Sequence, residues 1–381
     1  MTDFEHILPL WSELEAAGAD YVLATIVAVE GSSYRRPGAR MLLAQDGRRA
    51  GTVSGGCLEA SVAKKAWWLT AGGPVVERYS TLDDDGDLPY GSGCSGVVYI
   101  LLERRATAGA LLKELKTAFE ARVPLAIATI LEGPRIGRRA SASALTPESI
   151  APLVDEDRAQ TDMTLLAVQA LGDRTQQDAS VDIGGVSTRV WVDYRPARAG
   201  LWIFGAGDDA RPLLNLAREL GWFVAIVDGR SHLASRIRFA TADEVHAVDI
   251  REFPGAAVSA LDLHPTDAAV LITHSFEQDS RFLASLLGRN QALAYLGVLG
   301  PQRRTREALA EAARLLEFVP SETLIDRWLE DLHAPTGLDL GADTPASIAL
   351  SILSEVQKVL NASTALPLRN VRGIKVLVQY K

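Results

Sequence analysis

The chain has 381 residues, a length that predicts two domains. Its 48% hydrophobic and 23% charged residues are those of a globular protein with a sizeable core, not of a disordered chain. A net charge of −9 disfavours nucleic-acid binding, which needs a basic face, and two cysteines, Cys57 and Cys94, are too few for an ordinary iron–sulfur cluster, a four-cysteine zinc site or a disulfide-stapled scaffold. No apolar run reaches the ~18 residues of a membrane span, and the acidic first residues lack the basic start of a signal peptide, so the expected location is cytoplasmic.

In chain order, Phe4, Ile7, Leu8, Trp11 and Leu14 recur at helical spacing over 4–17, and Gly18 closes that helix. A β-branched run predicts a strand over 21–29. Residues 41–56 read as two strands around an Asp46-Gly47 hairpin turn, followed by a helix over 58–69 and strands over 75–80 and 97–103. The spacing then predicts a helix over 110–121, a strand over 124–131, a polar loop over 133–160, and strands near 163–169 and 188–194. This gives an N-terminal α+β domain over 1–195, with 195–200 as the linker.

From 199 to 381 the pattern changes to short buried strands (201–205, 222–228, 268–273, 292–299) alternating with helices. That alternation predicts an α/β, Rossmann-like, doubly wound parallel sheet. The last helix starts at Thr344-Pro345, a cap residue followed by proline in the first helical position. Gly205-Ala206-Gly207-Asp208-Asp209-Ala210 lies between a predicted strand and helix and fits the dinucleotide fingerprint. Asp228 ends the second strand about 20 residues later, where an acid takes a ribose hydroxyl. NAD(P) or another nucleotide is one reading. The other is that the glycines only serve the turn, since Asp208 and Asp209 suit a helix dipole but repel a pyrophosphate. His274 and Asp279 follow the 268–273 strand at the end where parallel sheets bind ligands. His274 is a candidate general acid/base, or a strand-end histidine that bonds a loop. Gln302, Arg303 and Arg304 follow the next strand and are further candidates to hold a phosphate.

The cysteines occupy glycine-rich loops. Ser54-Gly55-Gly56-Cys57 leads into a helix, where backbone N–H groups and the helix dipole lower a thiol pKa and where the two glycines admit a bulky ligand; a small buried cysteine is the bland alternative. Gly91 to Gly96 form the second such loop, around Cys94. Arg35-Arg36-Pro37-Gly38-Ala39-Arg40 concentrates three cations in one turn, making Arg36 and Arg40 anion-site candidates or simply a solvated charged loop.

These motifs in this order resemble the XdhC/CoxI family of accessory proteins for molybdenum hydroxylases. The resemblance rests on Arg36-Pro37-Gly38-Ala39-Arg40, Gly51 to Cys57 with Glu59, and Gly93-Cys94-Ser95-Gly96. In the second half it rests on Phe204 to Gly207, Val227-Asp228 with Arg230, Thr273-His274 with Asp279, Tyr295 to Gly297 with Gly300, and Gly337-Leu338-Asp339-Leu340-Gly341. Ser95 stands where the family commonly has glycine, and Asp208 where many members have histidine. The resemblance implies binding of molybdenum cofactor (molybdopterin), its sulfuration with a cysteine desulfurase, and delivery to an apo-hydroxylase of the xanthine dehydrogenase or carbon monoxide dehydrogenase type, by a homodimer. It implies that Cys57, beside Gly55 and Gly56, contacts the cofactor and its molybdenum; the residues themselves add Cys94 as a further cofactor-binding candidate and the loop of Arg36 and Arg40 for the pterin phosphate. The competing function is an NAD(P)-dependent oxidoreductase using Gly205, Gly207, Asp228 and His274.

Overall fold

The computed structural model of the chain describes residues 3–56, 58–80, 96–144, 158–252 and 261–371; Cys57 and Cys94 lie outside these. The chain divides into two compact units, Met1–Arg198 and Ala199–Lys381.

The first unit opens with α1 (Asp3–Ala16), β1 (Tyr21–Gly31), β2 (Arg40–Ala44), β3 (Arg49–Gly51), α2 (Glu59–Leu69), β4 (Val75–Ser80), β5 (Gly96–Arg104) and α3 (Arg105–Glu120). The strands form an antiparallel sheet in the order β3-β2-β1-β5-β4. Successive side chains of a strand point to opposite faces. Tyr21 and Leu23 therefore join Ile7, Trp11 and Leu111 in one core, while Val22, Ala24 and Ile26 join Val62 and Ala66 in the other. Helices cover both faces, which is why β1 reads as an unbroken apolar run.

A second antiparallel sheet, β7-β6-β9-β8, follows from β6 (Leu125–Ile130), β7 (Arg139–Ser143), β8 (Gln177–Ile183) and β9 (Val186–Arg195), with α4 (Arg158–Asp173) packed on it. The structure corrects two expectations here and adds one strand the sequence did not suggest. Residues 163–169 are helical: the apolar cluster around Met163 looks strand-like alone, but the buried positions Ala159, Met163, Ala167 and Ala170 are spaced by three and four. Part of the expected loop over 133–160 is β7, whose buried alternation uses only Ala140 and Ala142, too little apolar content to register as a strand. β8 is half-exposed and polar on one side, so it gives no apolar run.

The second unit comprises β10 (Gly200–Phe204), α5 (Ala210–Glu219), β11 (Phe223–Asp228), β12 (Glu244–Ala247), β13 (Ala268–Leu271), α6 (Phe276–Leu287), β14 (Tyr295–Val298), α7 (Gln302–Leu315), α8 (Glu322–Glu330) and α9 (Pro345–Leu360). Its parallel sheet runs β12-β11-β10-β13-β14, with the order reversing between β10 and β13. Leu201 and Ile203 face one core, with Leu213 of α5 and Ile352 of α9. Trp202 and Phe204 face the other, with Phe282 of α6 and Leu309 of α7. The helix α9 starts with a capping box between Thr344 and Ser347 and with proline in its first turn. Gly205, at φ +130°, brings its Cα so near the neighbouring strand's exit that a Cβ would lie 2.6 Å from the Ile272 carbonyl oxygen. Gly205→Ala is expected to cost about 2 kcal/mol, read as a lower urea midpoint at unchanged slope.

No helix among the described residues is long and apolar enough to cross a membrane.

Candidate functional site

The loop between β3 and α2 is built around one carboxylate. Glu59, in the first turn of α2 and 4% exposed, folds back over the residues that precede the helix. Its Oε1 accepts from the Ser54 amide (2.8 Å), the Val53 amide (3.2 Å) and the Thr52 hydroxyl; its Oε2 accepts from the Ser54 hydroxyl. The Ser54 oxygen in turn accepts from the amides of Gly56 (3.1 Å) and Leu58 (3.0 Å). Burial alone pushes the Glu59 pKa up, but the Ser54 and Thr52 hydroxyls and backbone amides hold it below the usual carboxylate value. The residues on both sides of Cys57 are thus tied to one serine oxygen, and no side chain caps the first turn of α2. Gly56 has φ +116° and open space where a Cβ would sit, whereas Gly55 faces the ring of Tyr34.

The arginine loop between β1 and β2 divides its residues between two tasks. Arg36 is exposed. Arg40, expected as an anion ligand, is instead 4% exposed and donates to Asp193 of β9 at 2.7 Å. Asp193, 1% exposed, also accepts from Arg195 (2.9 Å) and Gln176 (2.9 Å). Arg40 and Arg195 both donate to the Gly38 carbonyl as well. Burial and the Arg195 charge lower the Arg40 pKa to about 10. Arg40 therefore anchors the loop, and of the two named arginines only Arg36 faces solvent.

In the second unit, the strand ends at the switch point are closed by internal bonds. Asp228 is fully buried. Its Oδ2 accepts from the Ala206 amide (2.7 Å) and its Oδ1 from the Arg230 amide (2.8 Å), while the Arg230 guanidinium straddles both oxygens. Burial raises its pKa, and these bonds, led by the Arg230 side chain, bring it below the ordinary value. A dinucleotide ribose needs that carboxylate, and Asp208 and Asp209 add negative charge where a pyrophosphate sits. The residues present do not fit NAD(P): Gly205 and Gly207 serve the crossing of backbone between strand and helix.

His274 has φ +57° and an exposed ring whose Nε2 lies 2.6 Å from Asp209 Oδ2. Asp279 is buried, accepts from the Thr273 hydroxyl (2.5 Å) and the Arg304 guanidinium (2.7 Å), and has a pKa raised by burial. The two candidate residues thus each have a separate partner. Arg304, expected to hold a phosphate, pairs inside the unit, whereas Arg303 is exposed.

Sequence reasoning missed a second buried network. Glu355 on α9 accepts from the Tyr295 hydroxyl (2.7 Å) and the Gly337 amide (2.7 Å), and meets His333 Nδ1 at 3.0 Å. Tyr295 stacks on His333 at 4.2 Å between ring centroids. Glu355 thereby ties the Gly337–Gly341 loop to the end of the sheet. Its signal, an acid on the apolar side of an amphipathic helix, was present in the sequence but easily read as a surface residue. No group of three His, Cys, Asp or Glu among the described residues could hold a metal ion.

Comparison with known proteins adds the following. Residues 14–80 match the XdhC and CoxI family, and residues 201–356 match the XdhC Rossmann domain. A Bacillus subtilis protein named as a probable xanthine dehydrogenase subunit is 30% identical over 88% of this chain and 92% of its own length. An Escherichia coli protein named molybdenum cofactor insertion chaperone PaoD is 26% identical over 94% of this chain and 89% of its own. A crystal structure described as a xanthine dehydrogenase from Bacillus halodurans superimposes with a TM-score of 0.69 at 26% identity, covering 95% of this chain and 96% of that one.

Proposed function

Because the chain belongs to the XdhC and CoxI family, we propose that it binds molybdenum cofactor, supports its sulfuration with a cysteine desulfurase, and inserts it into an apo-hydroxylase of the xanthine dehydrogenase type. It acts as a maturation factor and not as a turnover enzyme. The observation that carries this reading is the Glu59 network. It spends a buried carboxylate on fixing the backbone to either side of Cys57, the residue proposed to meet the cofactor. The Glu59 charge is absorbed by four donors, so it opposes a neighbouring thiolate less than an unsolvated carboxylate would. Cys57 then supplies a soft ligand just before α2, the open side of Gly56 leaves room for a bulky group, and the exposed Arg36 is the cation assigned to the pterin phosphate. The relatives' names, one a cofactor insertion chaperone and the other part of a xanthine dehydrogenase, support the same role.

The cofactor dissolved in the cell is unstable, and its dithiolene metal is soft. A protein thiolate in a glycine-lined loop binds such a group reversibly, and release to the apo-hydroxylase needs no covalent change in this chain. The experiment is pterin and molybdenum analysis of protein purified from molybdate-grown cells. Wild type is expected to carry both, and Cys57→Ala to carry neither above background. Equal loading of the two proteins would remove Cys57 from the site.

A further inference from the structure

Tyr34 lies in the arginine loop and is 73% exposed, the largest exposure of any aromatic residue described. An exposed aromatic of this kind is ordinarily a mobile surface side chain, but its surroundings here are fixed. Behind it the loop is held by the Gly38 amide donating to the Ile26 carbonyl (2.7 Å), the Ala39 amide donating to the Arg36 carbonyl (3.2 Å), and the Arg40–Asp193–Arg195 cluster. On one side, the ring faces the position that a side chain at Gly55 would take. A Cβ built there would lie 3.6, 3.6 and 3.8 Å from Cδ1, Cγ and Cδ2 of Tyr34. Near-equal distances to those three atoms place Gly55 over the face of the ring and not at its edge. One face of Tyr34 is therefore turned toward Gly55, with room for one carbon where a side chain would be, while most of the ring stays open to solvent. Beside it, Gly56 leaves open space.

We propose that Tyr34 is a stacking platform for the pterin ring of the cofactor. This rests on the cofactor-binding reading above and adds to it a binding residue on a different loop. A pterin is a flat, polar heteroaromatic ring. A phenol face takes such a ring in offset stacking. Arg36, two residues along the same loop, is exposed, and a pterin of this cofactor carries a phosphate at its far end. The loop thus offers a π-face for the ring and a guanidinium for the phosphate, and Arg40 is withheld from both because it anchors the loop.

The test uses the full chain with molybdopterin released from a purified molybdenum hydroxylase as the probe, bound ligand being separated by ultrafiltration and measured as its fluorescent oxidised pterin. Tyr34→Ala is expected to weaken retention on the order of tenfold, the size of losing one ring-on-ring contact. Tyr34→Phe is expected to stay within about twofold of wild type, because the face and not the hydroxyl binds. Thermal melting of both is expected to match wild type, since the side chain is exposed. If Tyr34→Ala retains pterin as well as wild type while Cys57→Ala does not, stacking is overturned and the cofactor reading stands. If Tyr34→Phe loses as much as Tyr34→Ala, the hydroxyl and not the face is responsible, and stacking is again overturned. If wild type retains none, both readings fall.

Discussion

Glu59→Ala is expected to lower the free energy of unfolding by about 3 kcal/mol and to leave the protein without bound pterin. The carboxylate, 4% exposed, satisfies two amides and two hydroxyls of the loop before α2. Each buried donor left without an acceptor costs about 1–3 kcal/mol, and some of the four are rescued by water. The cost to cofactor binding has a different origin. Without Glu59, Ser54 loses the partner that orients its hydroxyl. The Ser54 oxygen then no longer holds the Gly56 and Leu58 amides in place, and these are the neighbours of Cys57 on either side. Glu59→Gln grades the two effects together. Its carbonyl replaces one carboxylate oxygen, but its NH2 meets a serine oxygen that already accepts twice, so an intermediate loss of both stability and pterin is expected. Urea denaturation together with pterin content checks this. Wild-type stability and loading in Glu59→Ala would show that the loop holds its shape without the carboxylate.

Asp193→Ala is expected to destabilise the protein by about 3–5 kcal/mol, because it strands Arg40 as an uncompensated cation in the interior. Two buried partners explain the size; an exposed pair such as Arg48–Asp46 is worth far less. Replacing both ends of the buried pair with apolar residues (Arg40→Met with Asp193→Leu) is expected to recover much of the loss, since no charge is then left buried. A double variant as unstable as Asp193→Ala would show that the cluster acts through shape instead. The pH dependence follows from the direction of the shift. Burial would raise the Asp193 pKa, but the Arg195 and Arg40 charges and their hydrogen bonds bring it below the ordinary value. A carboxylate whose folded pKa is depressed stabilises fully above its unfolded pKa and loses that contribution as pH falls through the folded one. Acid denaturation followed by circular dichroism should therefore show wild type losing its advantage over Asp193→Asn only well into the acid range. A constant difference down to the lowest pH would count against the pair.

Much of the architecture was legible along the chain. The two-unit length, the hairpin at Asp46-Gly47, the β1 run and the four predicted strands of the parallel sheet all announce themselves, because burial on both faces writes continuous apolar segments into the sequence. Three of the six edge strands were not legible. β7, β8 and β12 are short or half-exposed, and their buried positions are alanines or residues among polar neighbours, so their pairing is decided by the strand beside them. The helix α4 was misread because its local run favours a strand, and only the sheet it packs on selects the helical spacing.

The candidate site residues divide in the same way. Cys57, Gly55 and Gly56 can be picked out from composition alone, since a cysteine among glycines before a helix is chemically conspicuous. The sequence also places three arginines in one loop, but not their separate tasks. That Arg40 turns inward depends on Asp193, a residue 153 positions away that no local pattern connects to it. Likewise the fingerprint Gly205-Ala206-Gly207 with Asp228 is complete as text, yet a neighbouring Arg230 and a backbone amide use up the carboxylate. Sequence by itself determined the chain's fold class, because that follows from local periodicity and residue type. Which side chains are spent on holding the structure and which stay open to a ligand was decided only by the tertiary structure, because hydrogen bonds and ion pairs are made between residues that only folding brings together.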